Sequence, residues 1–89
     1  MIPYMVSYNM AKADKILTQM KHNPKDNWGI EDLKRIAERY EIDYRQPGGS
    51  HVTFRTKGRT KLTIPARKPI KEFYIKQFVN MIENEEENL

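Results

Sequence analysis

The sequence predicts an α+β domain of two layers, with its elements in the order α-α-β-β-β-α. Three observations carry that expectation. Apolar residues recur at helical spacing over 13–20, 30–40 and 75–82. Between residues 42 and 64 the spacing shortens to two, in short runs separated by glycine-containing turns. A chain of 89 residues can bury only one small core, so these elements must share it.

The segment "AKADKILTQMKH" predicts the first helix, with Ala13, Ile16, Leu17 and Met20 on one stripe. Residues 1–10, where Met1, Met5 and Met10 crowd together, read as a flexible N-terminal extension, with Met10 an alternative start. The opening "MIPYMVSYNM" has no basic leader, sustained apolar run or small-residue cleavage site, so no signal peptide is expected. No later run is long enough to predict a membrane span. "NPKDN" ends the helix, because Pro24 biases Asn23 away from helical geometry.

"WGIEDLKRIAERY" predicts the second helix, with Ile30, Leu33, Ile36, Ala37 and Tyr40 on its buried stripe. Gly29 is an acceptable N-cap, and Glu31 and Asp32 place negative charge at the positive end of the dipole. Trp28 is expected to pack back on the core.

Three strands should follow. Ile42 and Tyr44 alternate with Asp43 and Arg45; Val52 and Phe54 alternate with His51, Thr53 and Arg55; Leu62 and Ile64 alternate with Lys61 and Thr63. The second turn, at Lys57-Gly58, is expected to be tight, with Gly58 free to take positive φ. The result is an antiparallel meander with one apolar and one polar face. Pro65 closes the third strand. "IKEFYIKQFVNMIE" then predicts the last helix, with Ile75, Phe78, Val79 and Ile82 inward. Glu83, Glu85, Glu86 and Glu87 oppose the dipole at its end, so residues 83–89 read as a fraying acidic tail. The domain proper is then 11–82.

Composition narrows the function. The absence of cysteine excludes disulfides, thiolate metal sites and cysteine nucleophiles, and fits a cytoplasmic protein. The net charge of +4 conceals a segregated pattern. From Tyr44 to Lys71 there are eight basic residues and no acidic one, while the rest carries eight basic against twelve acidic residues. Such a block points to a polyanion partner, most simply nucleic acid, against the alternative of a solvated face.

Strand parity decides what that block displays. With Val52 and Phe54 turned toward the helices, His51, Thr53 and Arg55 must face away, with Lys61 and Thr63 beside them. An imidazole among hydroxyls and cations suits RNA cleavage, because RNA carries its own nucleophile in the 2′-hydroxyl. The protein need supply only a base, an acid and cations for the developing charge. Histidine titrates near neutrality and can serve in either proton role. No metal or other cofactor is expected, since His22 and His51 have no carboxylate or cysteine partners at ligand spacing. His22 reads as a residue closing the first helix, and by pattern alone a lone exposed histidine such as His51 is more often an ordinary surface residue than a catalytic one. Tyr4, Tyr8, Tyr40, Tyr44 and Tyr74 can in principle stack on bases, but Tyr40 and Tyr44 fall on core stripes, leaving Tyr74 as the contact candidate.

The stretch "GGSHVTFRTKGRTKLTIPARKPIKEFYIKQF" resembles the HicA-type mRNA interferase toxins of toxin–antitoxin pairs. The resemblance rests on Gly49-Ser50-His51, Phe54, Gly58, Ile64-Pro65 and Ile70-Lys71, and covers about residues 40–82. "NPKDNWGIEDLKRIAERY" is similar to the longer branch of that family, which has an extra helix ahead of the core.

The resemblance implies a double-stranded-RNA-binding-domain-like fold, metal-independent cleavage of mRNA, and a HicB-type antitoxin covering the active surface. It gives His51 the catalytic position and Gly48 and Gly49 the turn that presents it. Phosphate and backbone contacts are expected from Ser50, Thr53, Arg55, Lys61, Arg67 and Lys68. Two departures matter. Many members have a second histidine where this chain has Val52, and another where it has Ala66-Arg67. Arg67 and Lys68 can stabilise charge but are poor acids at neutral pH. The open alternatives are a non-catalytic RNA-binding module of the same fold and a protein whose basic face meets an acidic partner.

Overall fold

Alternation of burial along the central strand organises the molecule. In the computed structural model, which describes the backbone of residues 3–87 and the side chains of 12–84, Val52 and Phe54 are fully enclosed while His51 and Arg55 are exposed. The elements are α1 (Pro3–His22), α2 (Ile30–Arg39), β1 (Asp43–Arg45), β2 (His51–Arg55), β3 (Lys61–Pro65) and α3 (Glu72–Glu87). This is the expected α+β order around a three-stranded antiparallel sheet.

The strands form a meander in the order β1-β2-β3. Tyr44 pairs with Phe54, and Phe54 in turn with Leu62, so one row of the sheet presents apolar groups to the helices. Val52 pairs with Ile64 in the next inward row. Helix α2 packs on β1, α3 packs on β3, and α1 packs chiefly across α2 and α3. Met20, Leu33, Ile36, Ile75, Phe78 and Ile82 close the core from the helical side, all fully buried. Phe54 is its centre, with ring centroids 5.0 Å from Phe78 and 5.9 Å from Tyr44. The opposite face of the sheet stays open to solvent.

The start of α2 follows the expected chemistry. Gly29 is its N-cap in extended geometry, and the Asp32 carboxylate accepts the Gly29 N–H at 2.9 Å, satisfying a donor the helix leaves over. Trp28 packs against the core as expected and donates its indole N–H to the Asn23 carbonyl at 2.9 Å.

Two helix boundaries differ from the expectation. Helix α1 begins at Pro3 rather than Ala11. Pro3 takes the first helical position, where its fixed φ is favourable and its missing N–H is no loss. The flexible extension expected over 1–10 concerns side chains outside the described residues; from Pro3 the backbone there is helical. At the other end, α3 continues to Glu87 instead of giving way at Glu83. Its last turns have tertiary support: Met81 and Ile82 are buried, and the Glu83 carboxylate accepts from Lys21 Nζ of α1 at 2.5 Å. Residues 88–89 of the expected tail lie outside the described residues.

The β2–β3 turn also differs, because positive φ falls on Arg59 (+71°) and not on Gly58. The Arg59 N–H bonds the Thr56 carbonyl at 3.0 Å, and the Thr56 N–H bonds the Thr60 carbonyl at 2.9 Å. The loop thus has three residues, a turn followed by a left-handed residue. Thr56 is buried and its hydroxyl accepts the Thr60 N–H at 3.0 Å, which ties the turn from inside.

Candidate nucleic-acid interface

The turn between β1 and β2 aims the first side chain of β2, and glycine makes that turn possible. Gly48 and Gly49 have φ of +79° and +84°, a region that L side chains avoid. Space around both positions is open, so the demand for glycine comes from backbone conformation alone. The turn is also fastened. Gln46 Nε2 donates to the Gly49 carbonyl at 2.8 Å, and Gln46 Oε1 accepts from Lys34 Nζ of α2 at 2.5 Å. Lys34 lies 5.7 Å from the centre of the Tyr44 ring, with its ammonium over the ring face. Neither Gln46 nor Lys34 was among the sequence candidates; each reads as an ordinary polar residue until α2 and the turn are brought together.

His51 opens β2 opposite Pro65 and is exposed, as strand parity requires. The Ser50 hydroxyl lies 3.2 Å from His51 Nδ1, and the Ser50 carbonyl accepts the Ala66 N–H at 2.9 Å. Ser50 is thus anchored to the strand end by its backbone while its side chain meets the imidazole. When Ser50 Oγ accepts from Nδ1–H, Nε2 is left free toward solvent, the arrangement a general base needs.

The rest of the open face is arranged by register. Thr53 faces Thr63, their hydroxyls 2.9 Å apart. Arg55 faces Lys61 on one side and Asp43 on the other, and Arg45 faces Thr53. Like charges directly opposite one another oppose strand pairing, so Lys61 facing Arg55 does not help β2 and β3 to pair, whereas Asp43 facing Arg55 favours the pairing of β1 with β2.

The basic block is also short of internal partners. Among the described residues Lys57 alone of its eight cations forms an ion pair, with Glu41 at 3.5 Å. The other ion pairs among the described residues are Lys21–Glu83, Lys34–Glu31, Arg39–Asp14 and Lys76–Glu72, all on the helical elements.

Of the sequence-predicted site residues, His51, Thr53, Arg55 and Lys61 share the open face, and Ser50 sits in the turn just before it, against His51. Arg67 follows in the exposed loop after β3. Lys68 does not join them in the same way. Its stem leans on the first turn of α2, with Cδ 3.6 Å from where a Cβ on Gly29 would lie. His22 ends α1, away from the sheet.

The tyrosines divide as follows. Tyr40 donates to Asp14 Oδ1 at 2.7 Å and Tyr44 to Glu38 Oε2 at 2.6 Å. That bond to a carboxylate, reinforced by burial and by the charges of Glu38 and Glu31, pushes the Tyr44 hydroxyl up to about 12. Tyr74 is half-buried against the core, while its neighbour Phe73 is 63 % exposed and meets it edge-on at 5.3 Å. The exposed aromatic on α3 is therefore Phe73, which the helical pattern did not single out. Tyr4 and Tyr8 lie outside the described side chains.

Among the described residues no three His, Asp or Glu side chains gather into a metal-binding group, and no helix is long and apolar enough to cross a membrane. Comparison with family models, with curated proteins and with solved structures gave no match in any of the three.

Proposed function

We propose that this chain is a toxin-type endoribonuclease, an mRNA interferase of the HicA kind with a double-stranded-RNA-binding-domain-like fold, acting in the cytoplasm. The observation that carries the reading is an exposed His51, in contact with Ser50, on an open sheet face whose cations form no ion pair among the described residues.

His51 Nε2 takes the proton of a 2′-hydroxyl while Nδ1–H donates to Ser50 Oγ. The O2′–P bond forms as the P–O5′ bond breaks, leaving a 2′,3′-cyclic phosphate and a 5′-hydroxyl. The departing O5′ takes a proton from water, because the face offers no second imidazole among the described residues and the Thr53 and Thr63 hydroxyls are engaged with each other. Arg67, in the exposed loop beyond the Pro65 end of β3, supplies positive charge beside the scissile phosphate, while Lys68, whose stem leans on the start of α2, does not reach it in this arrangement. A HicB-type antitoxin would present carboxylates to the same cations, speeding encounter and excluding RNA.

One observation favours a second reading, a non-catalytic RNA-binding module: the missing second proton-transfer group. Incubating the purified, antitoxin-free protein with single-stranded RNA in chelator separates the two. Cleavage to cyclic-phosphate ends, lost in His51→Ala, supports the nuclease. Salt-sensitive binding without cleavage supports the module.

A further inference from the structure

The sheet register separates cations that the sequence pattern groups together. Arg55 and Lys61 face each other two outward rows away from His51, with the Thr53–Thr63 row between. Along an antiparallel strand each such step is roughly 7 Å, which puts about 13 Å between the His51 and Arg55 backbones. Strand side chains stand nearly perpendicular to the sheet, so these two cations serve a different phosphate from the one His51 acts on. A step of two residues is about the distance between neighbouring phosphates in an extended nucleotide chain. The three outward rows, His51–Pro65, Thr53–Thr63 and Arg55–Lys61, then match three successive phosphates.

We infer that Arg55 and Lys61 form a second phosphate subsite, two phosphodiester steps from the one at His51, for an extended single-stranded RNA lying along β2 and β3. This rests on the reading of the open face as an RNA site. The inference accounts for the like-charged row, which opposes strand pairing and is bridged by a phosphate between its two members. The remaining charged neighbours are Arg45, which faces Thr53, and Asp43, which faces Arg55 from β1. The Asp43 carboxylate repels phosphate and biases it toward the Lys61 side. A single strand suits the site better than a duplex. Five-residue strands span only about 17 Å, whereas duplex RNA is gripped by shape over many base pairs.

Binding of 2′-O-methyl oligonucleotides, which lack the nucleophile, tests the subsite without cleavage. Fluorescence anisotropy over lengths of two to eight nucleotides should show a rise of about tenfold once the strand is long enough to reach from His51 to Arg55. Arg55→Ala combined with Lys61→Ala should remove that rise and shallow the log–log salt slope by about 0.7, the single-strand value for one phosphate. Asp43→Asn should enlarge it. A double variant that keeps the length dependence of the parent overturns the subsite, as does a parent that binds a duplex as tightly as the strand. If the parent binds no strand of any length, the RNA reading of the whole face falls with it.

Discussion

Two adjacent residues, His51 and Val52, should respond to alanine in opposite ways. Val52 is fully buried opposite Ile64, beneath the helices. Truncating it removes about two methyl groups' worth of burial, near 0.8 kcal/mol each, and leaves a small cavity, for a total of about 2–3 kcal/mol. In a domain of this size that lowers the melting midpoint by roughly 10–20 °C. His51 is exposed, and among the described residues the one polar contact of its side chain is to the neighbouring Ser50, so His51→Ala should change stability by no more than about 0.5 kcal/mol.

Activity should show the reverse. Losing a general base costs about 10²–10⁴ in rate, so His51→Ala should lose RNA cleavage while Val52→Ala, assayed where it is folded, keeps it. Urea titration with an unchanged m-value reads the stability arm, and cleavage of single-stranded RNA in chelator reads the other. A His51→Ala protein that cuts RNA at the parental rate refutes the catalytic assignment. A neutral Val52→Ala refutes the parity argument beneath it.

Gly49→Ala should destabilise the protein by about 1 kcal/mol from backbone strain at φ +84°, with no steric clash, and should depress cleavage more than stability by misaiming His51; an unstrained, fully active variant would show that glycine is dispensable there. Tyr44 bears on pH. Its hydroxyl rises from 10.0 to about 12, so the folded state holds the proton more tightly than the unfolded chain; the contribution is complete below pH 10 and is lost as pH climbs toward 12. Solvent screening of this half-exposed group limits the effect to about 0.5–1 kcal/mol, and Tyr44→Phe should remove that slope from urea midpoints measured across the window.

Much of the fold is written locally. The stripe of α2 and the inward pair Val52 and Phe54 follow from spacing that needs no knowledge of distant residues, and the Gly29 start of α2 follows from capping chemistry. What local reading missed depends on support from elsewhere. The charge at the end of α3 predicts fraying, yet the helix runs on to Glu87 while Glu83 meets Lys21 of α1 and Met81 and Ile82 are buried. The start of α1 has no clear amphipathic period, and its one local signal was Pro3 at the first helical position. At the β2–β3 turn, a glycine at hand suggested the positive φ, but the three-residue loop assigns it to Arg59.

By itself, the order of amino acids determined which face of the sheet is apolar and that His51 stands on the other. Parity has period two and propagates along one strand without reference to any other. Tertiary structure alone decided that Arg55 stands against Lys61, that Gln46 reaches Lys34, and that Lys68 leans toward α2. The last two contacts join separate elements and the first depends on the register that the β2–β3 turn sets, and register and helix placement are properties of the assembled core rather than of any one strand or helix.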